Sequence, residues 1–178
     1  MSAIFRRLPF FDRATTLELQ GQRIHIFPRQ IVVWVSLSMT GRREFAGLTP
    51  KFPAVLDPGF TDSFLIHPRL LRQFAGLTPQ HLRQTNDSLR AHERVIPIHA
   101  ADHWLHPNRP NERDEFADRP PFLVELDRGI GIPTTEELYP RLPLLGAGAL
   151  RAARLQVVID YARLLLTVRT RRRFWLFG

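Results

Sequence analysis

Short runs in which apolar and polar residues alternate dominate the chain and predict a mostly β fold. From residue 33 to residue 39 a large apolar side chain recurs at every second position, which predicts a strand with one buried face. Gln20-Gly21-Gln22 predicts a hairpin turn inside the strand-like stretch from Thr16 to Met39. Two more strands are predicted near the C terminus, at Gln156–Asp160 and Leu164–Val168.

Two short helices interrupt this pattern. Pro68 suits a first helical position, an apolar stripe follows it, and Gly76 suits the C-terminal cap. A second short helix is predicted to start within the segment 146–150 and to continue through Arg151–Arg154. We therefore expect a β domain with one or two helices, over residues 16–169, because 178 residues suit a single domain.

The segments outside this domain, and one segment inside it, have weak apolar patterns. Residues 1–15 are interpreted as a loose N-terminal lead-in, and residues 170–178 as a basic-aromatic C-terminal tail. Residues 86–121 are rich in His, Arg, Asn and Pro, and we predict a long exposed loop there, at about residues 99–121. Strands are expected at Val95–Ile98 with Trp104–Leu105 on one side of it, and at Phe122–Leu126 on the other.

Three histidines in this region surround an aspartate, and they raise the question of a metal site. His99, His103 and His106, with Asp102, meet the number of ligands that zinc requires. Their spacing matches none of the usual zinc motifs. We therefore predict no metal site.

Composition narrows the class of protein. Apolar residues make up 44% of the chain and charged residues 24%, a balance typical of a folded globular domain and not of a disordered chain. The absence of cysteine excludes a disulfide scaffold and a thiolate metal site. No apolar run approaches the roughly 20 residues of a membrane span, and no signal peptide is apparent, so we expect a cytoplasmic location.

The net charge of +8 suggests an anionic partner, but its distribution weakens that interpretation. All but one of the 25 basic residues are arginines, the exception being Lys51, and most are scattered. They are concentrated only in the tail, where Arg169–Arg173 precede three aromatic residues. The tail could dock its aromatics on the domain, join a dimer interface, contact an anionic membrane or contact nucleic acid. We favour docking, and keep an arginine-driven nucleic-acid binder as a third functional hypothesis.

The segment Ala54–Phe60, with the sequence AVLDPGF, is the most informative in the chain. An apolar strand ends in Asp57, a tight Pro-Gly turn follows, and a second strand begins near Phe64. One interpretation is that Asp57 only opens the turn, as aspartate often does. The other is that its partly desolvated carboxylate, placed at a strand end, carries chemistry.

A second element, Leu142–Gly146, follows far downstream and leads into the second predicted helix. The ordered pair of Val55–Gly59 and Leu144–Gly146, closed by a C-terminal hairpin, resembles the retropepsin-like aspartic proteases over about residues 23–169. The resemblance implies a mostly β, closed β-barrel of the acid-protease type, and hydrolysis of peptide bonds by Asp57. It also implies an active-site loop around Asp57, formed by Leu56, Pro58, Gly59 and Phe60. A supporting motif is implied at Leu144, Leu145 and Gly146.

The resemblance also implies how the chain would act. Enzymes of this family use two carboxylates and no cofactor, and this chain offers one such loop, so a homodimer with two Asp57 side chains is implied. A peptide or protein is the implied substrate. The flap that covers it is expected at 95–122, and Gly129–Gly131 is a weaker candidate.

One residue departs from the family pattern. Pro58 stands where the family has Thr or Ser, and it has neither the hydroxyl nor the N–H that would bond across the dimer. Two hypotheses remain open. The chain is an active aspartic endopeptidase, or it is a catalytically inactive protease-fold module that binds peptides or proteins.

Overall fold

The computed structural model describes residues 3–41, 50–91, 94–107, 121–135, 137 and 139–170. Strands account for 49% of these residues and helices for 12%, which confirms the mostly β prediction. In chain order the strands are β1 Ala3–Pro9, β2 Thr15–Leu19, β3 Gln22–Ile26, β4 Val32–Ser38, β5 Phe52–Asp57, β6 Phe64–Leu65, β7 Gln84–Ala91, β8 Arg94–His99, β9 Asp102–His106, β10 Phe122–Val124, β11 Ile130–Gly131, β12 Leu144–Gly146, β13 Leu155–Asp160 and β14 Leu165–Thr170.

The two predicted helices are present. Helix α1 spans Pro68–Ala75, starts with the proline at its first position and ends at Gly76, as the sequence indicates. Helix α2 spans Ala147–Ala152 and follows β12 directly. A single 3-10 turn at Pro79–His81 lies between α1 and β7.

The described strands form three sheets, of which the largest has the order β10-β9-β4-β5-β12-β6-β11-β8-β7. Within the described part of the chain its outermost strands, β10 and β7, do not pair with each other, so the sheet does not close into a barrel. The closed barrel expected from the resemblance is therefore wrong for this structure. The other two sheets have the orders β1-β14-β13 and β2-β3.

Strand β4 lies between β5 and β9 and is buried on both faces. Residues 33–37 are all buried, including Trp34 and Ser36, which the period-2 pattern had placed on an exposed face. Both faces are covered because Phe52 on the neighbouring β5 stacks on Phe74 of α1, while Trp34 belongs to the same core cluster as Phe10. What packs over the two faces of β4, and not its alternation, decides its burial.

The predicted loose lead-in is wrong, because residues 3–9 form β1. This strand pairs antiparallel with β14, and its register shifts between Ala3 and Phe5 and again between Phe5 and Leu8. Arg7, inside the second shift, has a φ of 55°. These irregularities break the apolar alternation that would have revealed a strand.

The C-terminal hairpin is confirmed, with β13 and β14 paired in continuous register from Leu155↔Thr170 to Asp160↔Leu165. Asp160 ends β13, and its Oδ1 accepts a hydrogen bond of 3.0 Å from the backbone N–H of Arg163. The aspartate therefore has a structural role in the hairpin turn. The basic-aromatic tail from residue 171 lies outside the described residues.

The polar middle of the chain is more ordered than its composition indicates. Strands β7 and β8 pair as an antiparallel hairpin, and residues 102–106 form β9 between β4 and β10. The loop predicted at about 99–121 therefore includes a buried strand, since the histidines of β9 point into the protein and not to solvent. Residues 108–120 lie outside the described residues. In the part of the chain that is described, no helix has the length and apolar character to cross a membrane.

Candidate functional site

Asp57 is the last residue of β5 and is half-buried. Its Oδ1 accepts a hydrogen bond of 2.9 Å from the backbone N–H of Gly59, and its carbonyl oxygen accepts one of 3.1 Å from the N–H of Phe60. The side chain therefore closes its own turn, as the simpler interpretation expects. We call residues 57–63, which connect β5 to β6, the Asp57 loop.

The fold brings the two sequence motifs together. Strand β12 lies between β5 and β6, parallel to the first and antiparallel to the second. Leu144 pairs with Val55, and Leu145 with Leu56. Gly146 pairs with Asp57 itself, so the supporting motif stands directly beside the carboxylate although the two residues are far apart in the chain.

The start of α2 binds the Asp57 loop through backbone hydrogen bonds. The N–H groups of Gly146, Ala147 and Gly148 donate to the carbonyl oxygens of Ser63, Phe60 and Asp62, at 3.0, 2.7 and 3.1 Å respectively. A Cβ at position 146 would lie 2.5 Å from the Phe60 carbonyl oxygen and would also collide with that of Asp62. Glycine is therefore required at this position by close packing against the loop.

Pro58 and Gly59 form the exposed tip of the turn. Because the N–H of Gly59 donates to the Asp57 carboxylate, one backbone donor lies beside the acid. Pro58 offers no donor at all. The loop is thus held within its own chain and not by the side chain at position 58.

The sequence did not identify a second set of contacts to the loop, made by Asp127 and Arg128. The Oγ of Ser63 donates to Asp127 Oδ1 at 3.0 Å, and Arg128 Nη1 lies 2.9 Å from Asp62 Oδ1. Arg128 also donates to both carboxylate oxygens of Asp87 on β7, each at 2.9 Å. Hydrogen bonding from Arg128 lowers the pKa of Asp87, and the same contact raises the pKa of Arg128.

Nothing in the local sequence distinguishes Arg128 from the many other arginines. The only signal is Gly129, whose φ of 98° requires glycine and marks a tight turn before β11. A long-range ion pair of this kind leaves no periodic trace in a single sequence.

The three histidines of the middle segment do not form a metal site. His103 is fully buried, packs its ring 4.7 Å from that of Phe64, and neither ring nitrogen has a partner among the described residues. His106 lies three residues further along β9, and its Nε2 is 2.8 Å from Ser36 Oγ. Burial lowers the pKa of each of these two histidines to about 3. Within the described ranges, no group of three or more His, Asp or Glu side chains is placed to hold a metal ion.

The larger cavities lined by described residues lie away from Asp57. One of about 390 Å³ is bordered by β9, β10 and the 125–129 segment, and one of about 610 Å³ by β8 and residues 133–139. The Asp57 carboxylate lines neither of them.

Comparison of the chain with protein-family models, with curated proteins and with solved structures found no match. The functional assignment therefore depends on the geometry of the Asp57 loop and its neighbours. The resemblance to the retropepsin-like proteases stays a prediction.

Proposed function

We propose that this chain is an aspartic endopeptidase of the retropepsin-like type that acts as a homodimer. The observation that supports the proposal is the insertion of β12 between β5 and β6, which sets Gly146 beside Asp57. The resemblance paired these two elements from their order alone.

The chemistry needs two carboxylates, and one chain supplies one. The other carboxylate of the same loop, Asp62, is bound by Arg128 at 2.9 Å, so its charge is already neutralised. Asp57 carries no such ion pair among the described contacts. The second carboxylate is therefore assigned to the Asp57 of a partner chain related by a two-fold axis.

In the proposed dimer the two Asp57 carboxyl groups share one proton, because two carboxylates in contact cannot both ionise easily. The ionised carboxylate takes a proton from a bridging water, whose oxygen attacks the carbonyl carbon of the peptide. The protonated carboxyl donates its proton to the carbonyl oxygen. Collapse of the tetrahedral intermediate breaks the C–N bond as a proton passes to the leaving amine.

The substrate-covering element is assigned to the hairpin of β7 and β8. Of the weaker flap candidate, Ile130 and Gly131 are buried between β6 and β8 as β11, and β9 lies in the sheet interior. Among the described residues of the segment 95–122, β8 forms the edge of the large sheet together with β7. An extended peptide is the substrate that would lie between such a hairpin and the Asp57 loop.

Pro58 supports a second candidate function. Without a hydroxyl or an N–H, it removes the bond by which the family joins its two loops across the dimer. A dimer without that bond could hold a peptide but align its carboxylates poorly. The second candidate is therefore a non-catalytic module that binds peptides or proteins.

Cleavage of a peptide library between pH 5 and pH 7 separates the two candidates. Asp57→Asn keeps an oxygen that can accept from Gly59 and removes the titratable group. Asp160→Asn is a matched control, because Asp160 also ends a strand and accepts from a turn amide. We expect wild type and Asp160→Asn to cleave and Asp57→Asn to be inactive. Equal cleavage by Asp57→Asn would refute the role of Asp57, and peptide binding without cleavage by all three proteins would favour the binding module.

A further inference from the structure

The Asp57 loop is fixed on two sides, and the second side is built from charged side chains. On the first side the start of α2 donates backbone hydrogen bonds to the loop. On the second side Asp127 accepts from Ser63, and Arg128 binds Asp62. The second set of contacts includes the ion pair between Arg128 and Asp62. The carboxylate of this pair is mostly buried, because the Asp62 side chain is 18% exposed.

We propose that Arg128 is a positioning residue that ties the Asp57 loop to the β7–β8 hairpin. Its guanidinium divides its donors between two elements. Nη1 donates to Asp62 in the loop, while Nε and Nη2 bind the two oxygens of Asp87 on β7 in the bidentate geometry that arginine favours. Nη2 also donates to the Ser88 carbonyl oxygen at 2.6 Å.

The backbone on both sides is shaped to present these groups. The pairing of β7 with β8 shifts register between Gln84 and Ser88, and Asp87 lies inside that irregularity. The N–H of Asp87 donates to Thr85 Oγ1 at 3.2 Å, and the N–H of Ser88 donates to Asp87 Oδ1 at 3.0 Å. A β-bulge re-aims a side chain in this way, here towards Arg128.

Arg128 itself is held by a turn that only glycine can complete. A Cβ at Gly129 would collide with the His99 carbonyl oxygen and lie 3.1 Å from Cγ2 of Ile98, both on β8. Strand β11, which follows, pairs with β6 on one side and β8 on the other. Arg128 therefore stands at the junction of the loop, the hairpin and the strand between them.

Two carboxylates converge on one cation at this junction. If Arg128 is removed, Asp62 and Asp87 are left facing each other without compensation, and repulsion would push the loop and the hairpin apart. Lysine at this position keeps the positive charge but cannot supply the fork that reaches both carboxylates at once. The inference rests on the proposed role of Asp57, because a positioning residue needs a group to position.

Amide hydrogen exchange tests the inference without any assay of activity. The amides of Gly146, Ala147 and Gly148 donate to carbonyl oxygens of the Asp57 loop, so their exchange reports its opening. Amides of the β2–β3 pair, in another sheet, serve as the internal reference. We expect Arg128→Gln and Arg128→Lys to speed exchange at the three reporting amides by about fivefold relative to that reference.

Two further variants sharpen the result. Asp87→Asn, introduced into Arg128→Gln, removes the repulsion and should restore part of the protection. Arg163→Gln is the matched control, because Arg163 is an exposed arginine whose ion pair with Asp160 lies in a hairpin turn at 3.8 Å. Three results would overturn the positioning role. Amide exchange could be accelerated equally in all sheets, it could be accelerated to the same extent in Arg163→Gln, or it could show no acceleration.

Kinetics then connects the network to catalysis. If wild type cleaves peptides, we expect Arg128→Gln to lower kcat by about tenfold and to leave KM within about twofold, because a displaced loop misaligns the carboxylates after substrate has bound. A change confined to KM would contradict this expectation. If wild type does not cleave, the proposed function fails, while the exchange result still decides whether Arg128 positions the loop.

Discussion

His103 predicts that the protein loses stability in acid well before its carboxylates are protonated. The side chain is fully exposed to solvent in the unfolded chain and fully buried in the fold, where neither ring nitrogen has a partner among the described residues. Protonation would place a positive charge against the Phe64 ring in the core, with His106 also opposing it. The folded protein therefore resists protonation of His103, and the unfolded chain does not.

The size of the effect follows from the pKa difference. Burial lowers the pKa of His103 from 6.5 to about 3, so the unfolded chain binds one proton more than the fold at any pH between these values. The contribution of the neutral His103 imidazole to the free energy of unfolding is fully present above pH 6.5, and it is lost as the pH falls towards 3. Linkage gives a loss of about 2 kcal/mol between pH 7 and pH 5 from this residue alone.

His103→Leu is the perturbation that isolates this contribution, because leucine has a similar volume and does not titrate. Denaturant unfolding of wild type and variant at pH 7, 6 and 5 measures the difference. We expect the variant to lose about 2 kcal/mol less than wild type between pH 7 and pH 5. His25→Gln, which changes an exposed histidine on β3, is the control and should retain the wild-type pH dependence. An unchanged pH dependence in His103→Leu would refute the reasoning.

Three further predictions concern the Asp57 loop and the tail. Gly146→Ala should lower the free energy of unfolding, measured by denaturant titration, by about 3 kcal/mol, because the added Cβ collides with two loop carbonyl oxygens. Gly59→Ala is the control and should lower it less, because its Cβ meets only a carboxylate oxygen, at 3.2 Å. Pro58→Thr restores the hydroxyl and N–H and should strengthen dimerisation, measured by sedimentation; an unchanged dissociation constant would count against the missing bond. Neutralising Arg171–Arg173 should leave peptide cleavage unchanged, and a steep, salt-dependent loss of nucleic-acid binding would instead favour the third functional hypothesis.

The elements that were predicted correctly are those whose signals lie within a short stretch of sequence. Helix α1 was predicted at both ends because a proline and a glycine have fixed conformational preferences, and the β13–β14 hairpin because its apolar runs are regular. Strand β1 was missed because bulges around Arg7 erase the alternation. The burial of β4 on both faces was missed because it depends on what packs over the sheet, which a single strand does not record.

The candidate site divides in the same way. Asp57 was found because a strand end, an acid and a tight turn are contiguous in the sequence. The family resemblance linked the Leu144–Gly146 motif to the Asp57 segment, but the pairing of Gly146 with Asp57 was not predicted, since contacts between residues so far apart have no local signature. Arg128 was missed because its partners, Asp62 and Asp87, lie in segments far from it and from each other in the chain.

The contacts around the loop also bear on how much the loss at Pro58 matters. In the family, the bond across the dimer both joins the two chains and stiffens the loops. Here stiffening does not need the partner, because backbone donors from Gly146 and Ala147 and the guanidinium of Arg128 hold the loop within one chain. In the proposed dimer, proline at position 58 would then weaken association and leave the loop ordered. In the proposed enzyme, each chain therefore carries an Asp57 loop that is already ordered before dimerisation. Its activity is then set by the fraction of chains that are dimeric.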